Sequence, residues 1–299
     1  MSISVVTASY APDFAGFARM HESLVRHSDD DVRHIVVVPD AHAELFGTIP
    51  SARLEIRRYS AVLPRRFVQT SWIATVPGMP RGFRLAAVNA ARPWPPVRGW
   101  IMQQLVKLAV VSELTTDVAV MIDSDVVVVR PLREAAFRTA DGIVRLYRRP
   151  FGITEQMTRH LAQRSKALAL LGLKVAEPDS PDYISAFVSW DPALVRECLH
   201  RIEESTGRDW RTAVAASIDF SEYLTYGTFV MSLAEPGHRA NVGERSLCHS
   251  HWGTTPLTMG TAREFVEAMA PDDIAVHVQS NSATADDVLA FIVRATSSS

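Results

Sequence analysis

The chain has 299 residues, 47% of them hydrophobic, and its 31 basic and 33 acidic residues leave a formal net charge of −2. This length and hydrophobic content are enough for one large α/β unit with a full core. A charge balance so close to neutral argues against polyanion binding as the main activity, so we expect no nucleic-acid partner.

The sequence also bears on where the protein works. Its two cysteines, Cys198 and Cys248, have no short metal-type spacing, which favours a reducing compartment without a disulfide framework. Residues 1–7 (MSISVVT) lack the basic and long apolar regions of a signal peptide. No apolar run reaches the roughly 20 residues that span a bilayer. We therefore expect a cytoplasmic protein without a membrane span.

The first hundred residues alternate between strand and helix patterns. Strands are predicted at 3–8, 34–38 and 54–57, and helices at 13–26 and 41–46. This βαβα rhythm predicts a parallel sheet. From residue 63 to 98 the pattern dissolves into a stretch rich in Pro, Arg and Trp, including PGMP at 77–80. We interpret this stretch as an irregular loop near the functional site.

Helical periodicity resumes at 99–113 and leads into an apolar run, 118–122, that is followed by Asp123 and Asp125. An unbroken apolar run is typical of a strand buried on both faces, so the two acids should lie where a central strand surfaces. Open α/β sheets bind ligands at that edge. Neighbouring carboxylates repel each other unless a cation or bound hydroxyls satisfy them, and a divalent metal that bridges to a diphosphate does so.

The same alternation continues to the end of the chain. Strands are predicted at 126–129, 142–147, 183–190 and 274–278, helices at 155–173, 192–205, 221–233, 261–270 and 285–295, and a strand or loop at 247–252. We expect a single compact domain with a soft boundary near Pro131. Residues 1–130 would form its nucleotide-binding half and residues 131–299 its acceptor-binding half.

Three further runs accompany the Asp123-Ser124-Asp125 triplet: VTASY at 6–10, GWIMQQLVKL at 99–108 and SEYLTYG at 221–227. With this D-x-D triplet after a mid-chain apolar strand, the chain resembles the GT-A-fold glycosyltransferases over most of its length, and within them an uncharacterised group of bacterial GT-A-like proteins. The resemblance implies a Rossmann-type nucleotide-binding half with a mixed central sheet. It also implies a nucleoside diphosphate sugar as donor and a divalent metal, Mn²⁺ or Mg²⁺.

The resemblance assigns roles around the acidic triplet as well. It implies that Asp125 binds the metal directly, and that Asp123 contacts the ribose or a metal-bound water. Ser124, between them, is predicted to contact the donor. GT-A enzymes often add a histidine from the C-terminal region, and His251 is our choice for this ligand. Residues at i and i+2 of a strand share a face, so His249 is the reserve; His277 is a weaker candidate.

Donor contacts are predicted after the first strand and on the helix at 99–113. Thr7, Ser9 and Tyr10 offer hydroxyls and an aromatic face for the base and ribose. Lys107 suits a diphosphate oxygen as a point charge, and Gln104 would brace a phosphate or the ribose. With Gln103, these two residues form a polar patch on an otherwise apolar helix, and a buried patch of this kind needs partners.

Asp40 and two other carboxylates have alternative readings. Asp40 either accepts from the base or ribose, or caps the helix that follows it. An inverting transfer needs a base for the acceptor hydroxyl, and we predict Glu222, with Asp182 as the reserve. A first-turn glutamate favoured by the helix dipole, after Ser221 as cap, explains Glu222 equally well.

The function predicted from these features is transfer of a sugar from a nucleoside diphosphate sugar to a small-molecule or natural-product acceptor. A haloacid dehalogenase-type phosphatase also uses Asp-x-Asp after an apolar strand, but normally on its first strand. A nucleotidyltransferase would need a glycine-rich loop that residues 8–13 (ASYAPD) lack. A non-catalytic sugar-nucleotide-binding protein is the alternative from a different class.

Overall fold

The computed structural model describes residues 2–70 and 85–297. Its strands are β1 (Ile3–Ala8), β2 (Arg33–Val38), β3 (Leu54–Arg58), β4 (Phe67–Gln69), β5 (Leu85–Asn89), β6 (Val97–Arg98), β7 (Val118–Ile122), β8 (Val126–Val128), β9 (Leu146–Tyr147), β10 (Phe187–Trp190), β11 (Val242–Gly243), β12 (Cys248–His251) and β13 (Ala275–Val278). Its α-helices are α1 (Phe14–Arg26), α2 (Ala43–Phe46), α3 (Tyr59–Val62), α4 (Gly99–Glu113), α5 (Thr158–Leu171), α6 (Pro192–Thr206), α7 (Trp210–Ala215), α8 (Glu222–Ser232), α9 (Met259–Glu267) and α10 (Asp286–Ser297).

The central sheet has five strands in the order β10-β7-β1-β2-β3. Strands β7, β1, β2 and β3 are parallel, and β10 runs antiparallel to β7. The α/β fold with a mixed central sheet is therefore confirmed. The parallel strands come from the first half of the chain, and one antiparallel strand from the second half extends their sheet.

Helices cover both faces of this sheet because its strands are apolar on both sides. Val6 of β1 and Met121 of β7 belong to the same hydrophobic cluster as α4. Their neighbours Val5 and Val120 belong to the cluster that contains the apolar side of α1. This alternation is the two-residue period of a strand.

The direction in which the strand order grows reverses at β1, so the sheet has a switch point there. From β1 the chain crosses through α1 to β2 on one side, and it later crosses through α4 to β7 on the other side. In open α/β sheets, ligands bind outside the carboxyl ends of the strands at such a switch point. Ser9 follows β1 and Asp123 follows β7, so both lie at this place.

The predicted irregular loop at 63–98 was wrong in part. In its described portion, β4, β5 and β6 form an antiparallel sheet of three short strands. Phe67, Ala87 and Val97 are buried and join the main core. Their apolar positions are too few and too widely spaced to give a periodic signal. The PGMP run at 77–80 lies outside the described residues.

A second small sheet, in the order β12-β13-β8, connects the C-terminal region to the acidic triplet. Strand β8 begins directly after Asp125, and β13 pairs with it antiparallel so that His277 lies opposite Val126. Helices α9 and α10 cover this sheet with their own apolar cluster. In the described ranges, 2–70 and 85–297, the structure contains no helix of the length and apolarity that crossing a bilayer requires.

Candidate functional site

The VTASY run holds the acidic triplet from one side. The Ser124 hydroxyl donates to Ser9 Oγ at 2.9 Å, and Thr7 Oγ1 donates to the Ile122 carbonyl at 2.8 Å. Gly16 at the start of α1 packs on the same loop, because a Cβ there would lie 3.0 Å from the Ser124 carbonyl oxygen. The hydroxyls of Thr7 and Ser9 are fully buried. Both are therefore used inside the fold, where they fix the end of β7.

A buried histidine pair continues from Thr7 into the core. His34 Nε2 lies 3.1 Å from Thr7 Oγ1, and His34 Nδ1 lies 2.8 Å from His21 Nδ1. Because Thr7 donates to Ile122, it accepts from His34 Nε2–H, and His34 Nδ1 then accepts from His21 Nδ1–H. This chain of hydrogen bonds requires the His34 ring to be neutral, because its Nδ1 must accept. Burial, with the charge of Arg53, lowers the pKa of each ring, that of His34 the more strongly.

Lys107 is the centre of the polar contacts on the other face. Its Nζ donates to Asp123 Oδ1 at 3.1 Å, to Tyr223 Oη at 3.0 Å and to Glu222 Oε1 at 3.4 Å. The side chain of Lys107 is 8% exposed and that of Glu222 only 3%. An ammonium group has three donors, so these three acceptors match it. Lys107 from α4 thus joins Glu222 and Tyr223 from α8 to Asp123, the first acid of the triplet.

Gln104 completes the contact between the two helices. Its Oε1 accepts from the backbone N–H of Glu222 at 2.9 Å, and its Nε2 donates to the Trp100 carbonyl at 3.3 Å. Glu222 is the first residue of α8, so its N–H has no partner within that helix. Ser221 caps the same helix by accepting from Leu224 N. The polar patch predicted on α4 has therefore found its partners, and the predicted cap at Ser221 is confirmed.

Two carboxylates share this one ammonium group. Burial opposes the charge of Lys107, but Asp123, Tyr223 and Glu222 outweigh it and hold the Lys107 pKa well above its usual range. Burial raises the pKa of Glu222, and the attraction of Lys107 offsets only part of this rise. Lys107 therefore carries a permanent positive charge, which compensates Asp123 first because that carboxylate lies closer.

Asp125 has different partners. Its Oδ1 lies 3.4 Å from His277 Nε2, and its Oδ2 accepts from the backbone N–H of Ser280 at 2.9 Å. Burial raises the Asp125 pKa, but the hydrogen bond and charge of His277 and the Ser280 amide outweigh it, so the pKa is lowered. The ring of Trp252 packs over His277 with a centroid distance of 4.5 Å.

The histidine beside Asp125 is His277, the weaker of the three candidates. His251 Nε2 instead lies 3.0 Å from the Thr255 carbonyl, and the His249 ring packs on Phe265 at 4.1 Å. The strand order gives the reason. His277 is on β13, the neighbour of β8, whereas His249 and His251 are on β12, one strand farther from Asp125. Sequence spacing carries no information on that order.

Asp13 is a third acid at the site, and the sequence analysis did not select it. Burial raises the Asp13 pKa to about 6, and the negative charges of Asp125 and Asp123 add to the rise. It ends the short turn before α1, after Pro12. An isolated aspartate in a proline turn gives no signal in the sequence, because only the tertiary fold brings it near the triplet.

Within the described residues, the remaining predicted residues form no hydrogen bond or ion pair with Lys107 or Asp125. Asp40 Oδ1 accepts from Ser60 N at 3.0 Å, so it caps α3 and not the helix that directly follows it. Tyr10 is half-buried in the loop after β1. Asp182 Oδ1 accepts from Ile184 N at 3.0 Å, and burial raises its pKa.

Asp125 and His277 fit a divalent metal that takes part of its coordination from a ligand. No group of three or more His, Cys, Asp or Glu side chains within residues 2–70 and 85–297 forms a complete metal site. Carboxylate oxygen and imidazole nitrogen suit ions such as Mn²⁺, and the 3.4 Å between these two atoms is a separation that two neighbouring ligands of one ion can have. Ions of this kind are often held by one or two carboxylates together with substrate phosphates.

The fold and the geometry of this site define an α/β protein with an acidic loop at the switch point of its sheet. The chain belongs to the family of unknown function DUF6492, whose profile matches residues 1–268. No functionally curated protein is significantly similar to it in sequence.

The solved structures that are similar to the chain include three at 12% identity. The apo structure of the bifunctional glycosyltransferase WbbM has a TM-score of 0.45 and covers 92% of this chain and 45% of that chain. This chain thus spans less than half of that protein's length. An active-site mutant of LgtC has a TM-score of 0.47, and the galactosyltransferase LgtC with donor and acceptor sugar analogs has 0.46; each covers 99% of this chain and 95% of that chain.

Proposed function

We propose that this protein is a metal-dependent glycosyltransferase of the GT-A type, which transfers a sugar from a nucleoside diphosphate sugar to a small-molecule acceptor. The observation that carries the proposal is the Asp125–His277 pair, a carboxylate and an imidazole facing each other at the switch point of the central sheet. The convergence of the 6–10, 99–108 and 221–227 runs on the same triplet supports it further.

In this proposal Asp125 and His277 hold the metal, and Asp123 meets the ribose. When bound, the ion supplies positive charge that offsets the negative charge on the leaving diphosphate. Asp123 is suited to a ligand contact because its side chain is 35% exposed, while Lys107 fixes it from behind. Asp13 lies close enough to Asp123 and Asp125 for their charges to raise its pKa, and Tyr10 lies in the loop between β1 and Asp13. Thr7, Ser9 and Gln104 act as supports of this arrangement.

Residues 131–299 supply the acceptor side in this proposal, together with the base. Glu222 remains the proposed base, with Asp182 as the reserve. Burial raises the pKa of both carboxyls, which favours proton uptake from a hydroxyl. Glu222 is connected to Asp123 through Lys107, whose ammonium group donates to both carboxylates.

A thermal-shift screen tests the donor site. Nucleoside diphosphates and their sugars are offered with and without Mn²⁺, since a ligand that binds only the native state raises Tm. We expect a metal-dependent rise for one nucleotide in the wild type and none in Asp125→Asn. The matched control is Asp141→Asn, which changes an exposed aspartate outside the site. An undiminished Mn²⁺-dependent rise in Asp125→Asn would refute the proposed metal site.

A further inference from the structure

A second concave surface lies among α5, α6 and α7, and we refer to it as the basic groove. Its volume is about 280 Å³. Its lining residues are Arg92, Lys166, Ala169, Leu170, Thr206, Arg208, Ala213, Ala216 and Ser217. None of the acids or cations of the D-x-D site is among them, so the groove is a separate feature of the molecule.

Every charged residue that lines the basic groove is a cation. Arg92 and Arg208 are exposed, and Lys166 is half-buried on the face of α5 that also carries Ala169 and Leu170. None of the three cations forms an ion pair with another residue in the described part of the chain. Like charges around one concavity repel each other and raise the local positive potential.

Two carboxylates close in sequence to Arg208 are engaged in other contacts. Asp209 follows Arg208 in sequence, but its carboxylate pairs with Arg66 at 2.5 Å and with Arg211 at 3.7 Å. Glu203 accepts from the backbone N–H of Trp210 at 3.1 Å. These acids stabilise the turn into α7 and are not among the groove's lining residues. Among the residues that line the groove, the positive charge therefore has no acidic counterpart.

The neutral part of the groove is built from small and apolar groups. Leu170 and Ala213 are buried, and they form an apolar floor. The hydroxyl of Thr206 donates to the Ile202 carbonyl in α6, and that of Ser217 donates to the Ala213 carbonyl in α7. The cations at the rim are thus the donors left for a ligand, and the floor suits the carbon part of a small molecule.

We propose that the basic groove is a second ligand site, which binds a small molecule bearing a phosphate or diphosphate group without a metal. Phosphate oxygens accept charge-assisted hydrogen bonds from several cations at once, which matches three donors around one concavity. A volume of about 280 Å³ suits a compact ligand and not an extended polymer. This site is independent of the proposed sugar-nucleotide site, which needs Asp125 and a divalent ion.

Calorimetry with inorganic pyrophosphate in EDTA tests the proposal, since chelation removes the contribution of a metal at the D-x-D site. The wild type is compared with the triple variant Arg92→Gln, Lys166→Gln, Arg208→Gln. The matched control is Arg33→Gln, Arg133→Gln, Arg263→Gln, which removes the same charge from exposed positions outside the groove. Asp125→Asn is the fourth protein, and melting curves show that all four are folded.

We expect the groove variant to bind pyrophosphate at least about tenfold more weakly than the wild type, which corresponds to ~1.4 kcal/mol. The control triple and Asp125→Asn should retain wild-type affinity, and binding should weaken as salt is added. An equal loss of affinity in the control triple variant would mean that the net charge of the protein alone attracts pyrophosphate. That result would overturn the proposed site. Unchanged affinity in the groove variant, or no binding to the wild type, would overturn it as well.

Discussion

The two acids of the triplet are one residue apart, yet their surroundings differ in kind. Asp123 is compensated by Lys107, a buried cation that also bonds Glu222 and Tyr223. Asp125 is compensated by a histidine and a backbone amide from the C-terminal sheet. A lysine with a raised pKa keeps its proton at any working pH, whereas a histidine can be neutral and act as a metal ligand.

Because of this difference, the two aspartates can have different roles. The Asp123 side is an ion-pair network between α4 and α8, in which a cation of the protein itself contacts the carboxylate. The Asp125 side offers an oxygen and a nitrogen that one ion can share. The two carboxylates of a D-x-D triplet are chemically identical. The role of each is therefore inferred from the groups that contact it.

The largest effect is expected on the Asp123 side. Lys107→Met leaves Asp123 and the buried Glu222 without their cation, and breaking such a pair costs about 3–5 kcal/mol of unfolding free energy. Urea unfolding measures the loss. Lys174→Met, at an exposed lysine, should change stability by no more than about 0.5 kcal/mol. A stable Lys107→Met protein would mean that the network adds little to the fold.

Glu222→Gln separates two roles within the network. Glutamine keeps a hydrogen-bond acceptor for Lys107 but loses the charge and the basicity. If Glu222 is the base, sugar transfer should fall by a factor on the order of 10² or more while donor binding stays unchanged. Kinetics and donor calorimetry measure the two effects, and Asp182→Asn is the comparison. Full activity in Glu222→Gln would leave only a structural role for this residue.

On the Asp125 side, His277→Gln is compared with His251→Gln. Loss of a metal ligand should weaken Mn²⁺-dependent nucleotide binding at least about tenfold, given that even residues outside the first coordination shell cost 10–100-fold. His251→Gln should bind normally, because its ring contacts the Thr255 carbonyl and not Asp125. The reverse result would restore the ligand predicted from the sequence. Titration of Mn²⁺ at saturating nucleotide measures both variants.

The most gradual effect is a pH dependence of the unfolding free energy, which comes from the buried His21–His34 pair. Burial lowers both pKa values in the folded state, so the unfolded chain takes up protons first as the pH falls. The pair's contribution should be complete above pH ~6.5 and decline below it, by up to about 1.4 kcal/mol per pH unit for each histidine. Urea unfolding between about pH 7.5 and 5.5 measures this slope.

A double variant isolates that contribution from the other titrating groups. His21→Asn with His34→Asn should have a shallower slope below pH ~6.5 than the wild type. His200→Asn, at an exposed histidine, should leave the slope unchanged. The raised pKa of Asp13 acts in the opposite direction, since a folded state that holds this proton gains stability as the pH falls. Equal slopes in all three proteins would contradict the neutral pair.

Local patterns were enough to predict most elements, because they depend on neighbours in the sequence. The apolar run at 118–122 became β7, the helix predicted at 99–113 is α4, and the polar patch on it did need partners. The strand predicted at 183–190 is shorter, and α7 was not predicted. Short elements carry too few apolar positions for a periodic signal.

The sequence by itself determined an α/β chain with two adjacent acids at the end of a buried strand, since apolar periodicity fixes which segments become strands and where they surface. Only the tertiary structure decided which residues face those acids. Lys107, Glu222, His277 and Asp13 come from distant parts of the chain, and their meeting depends on strand order and helix packing. Strand order and helix packing depend on how the faces of the helices and sheets fit together. The local spacing of residues in the sequence carries no information on that fit.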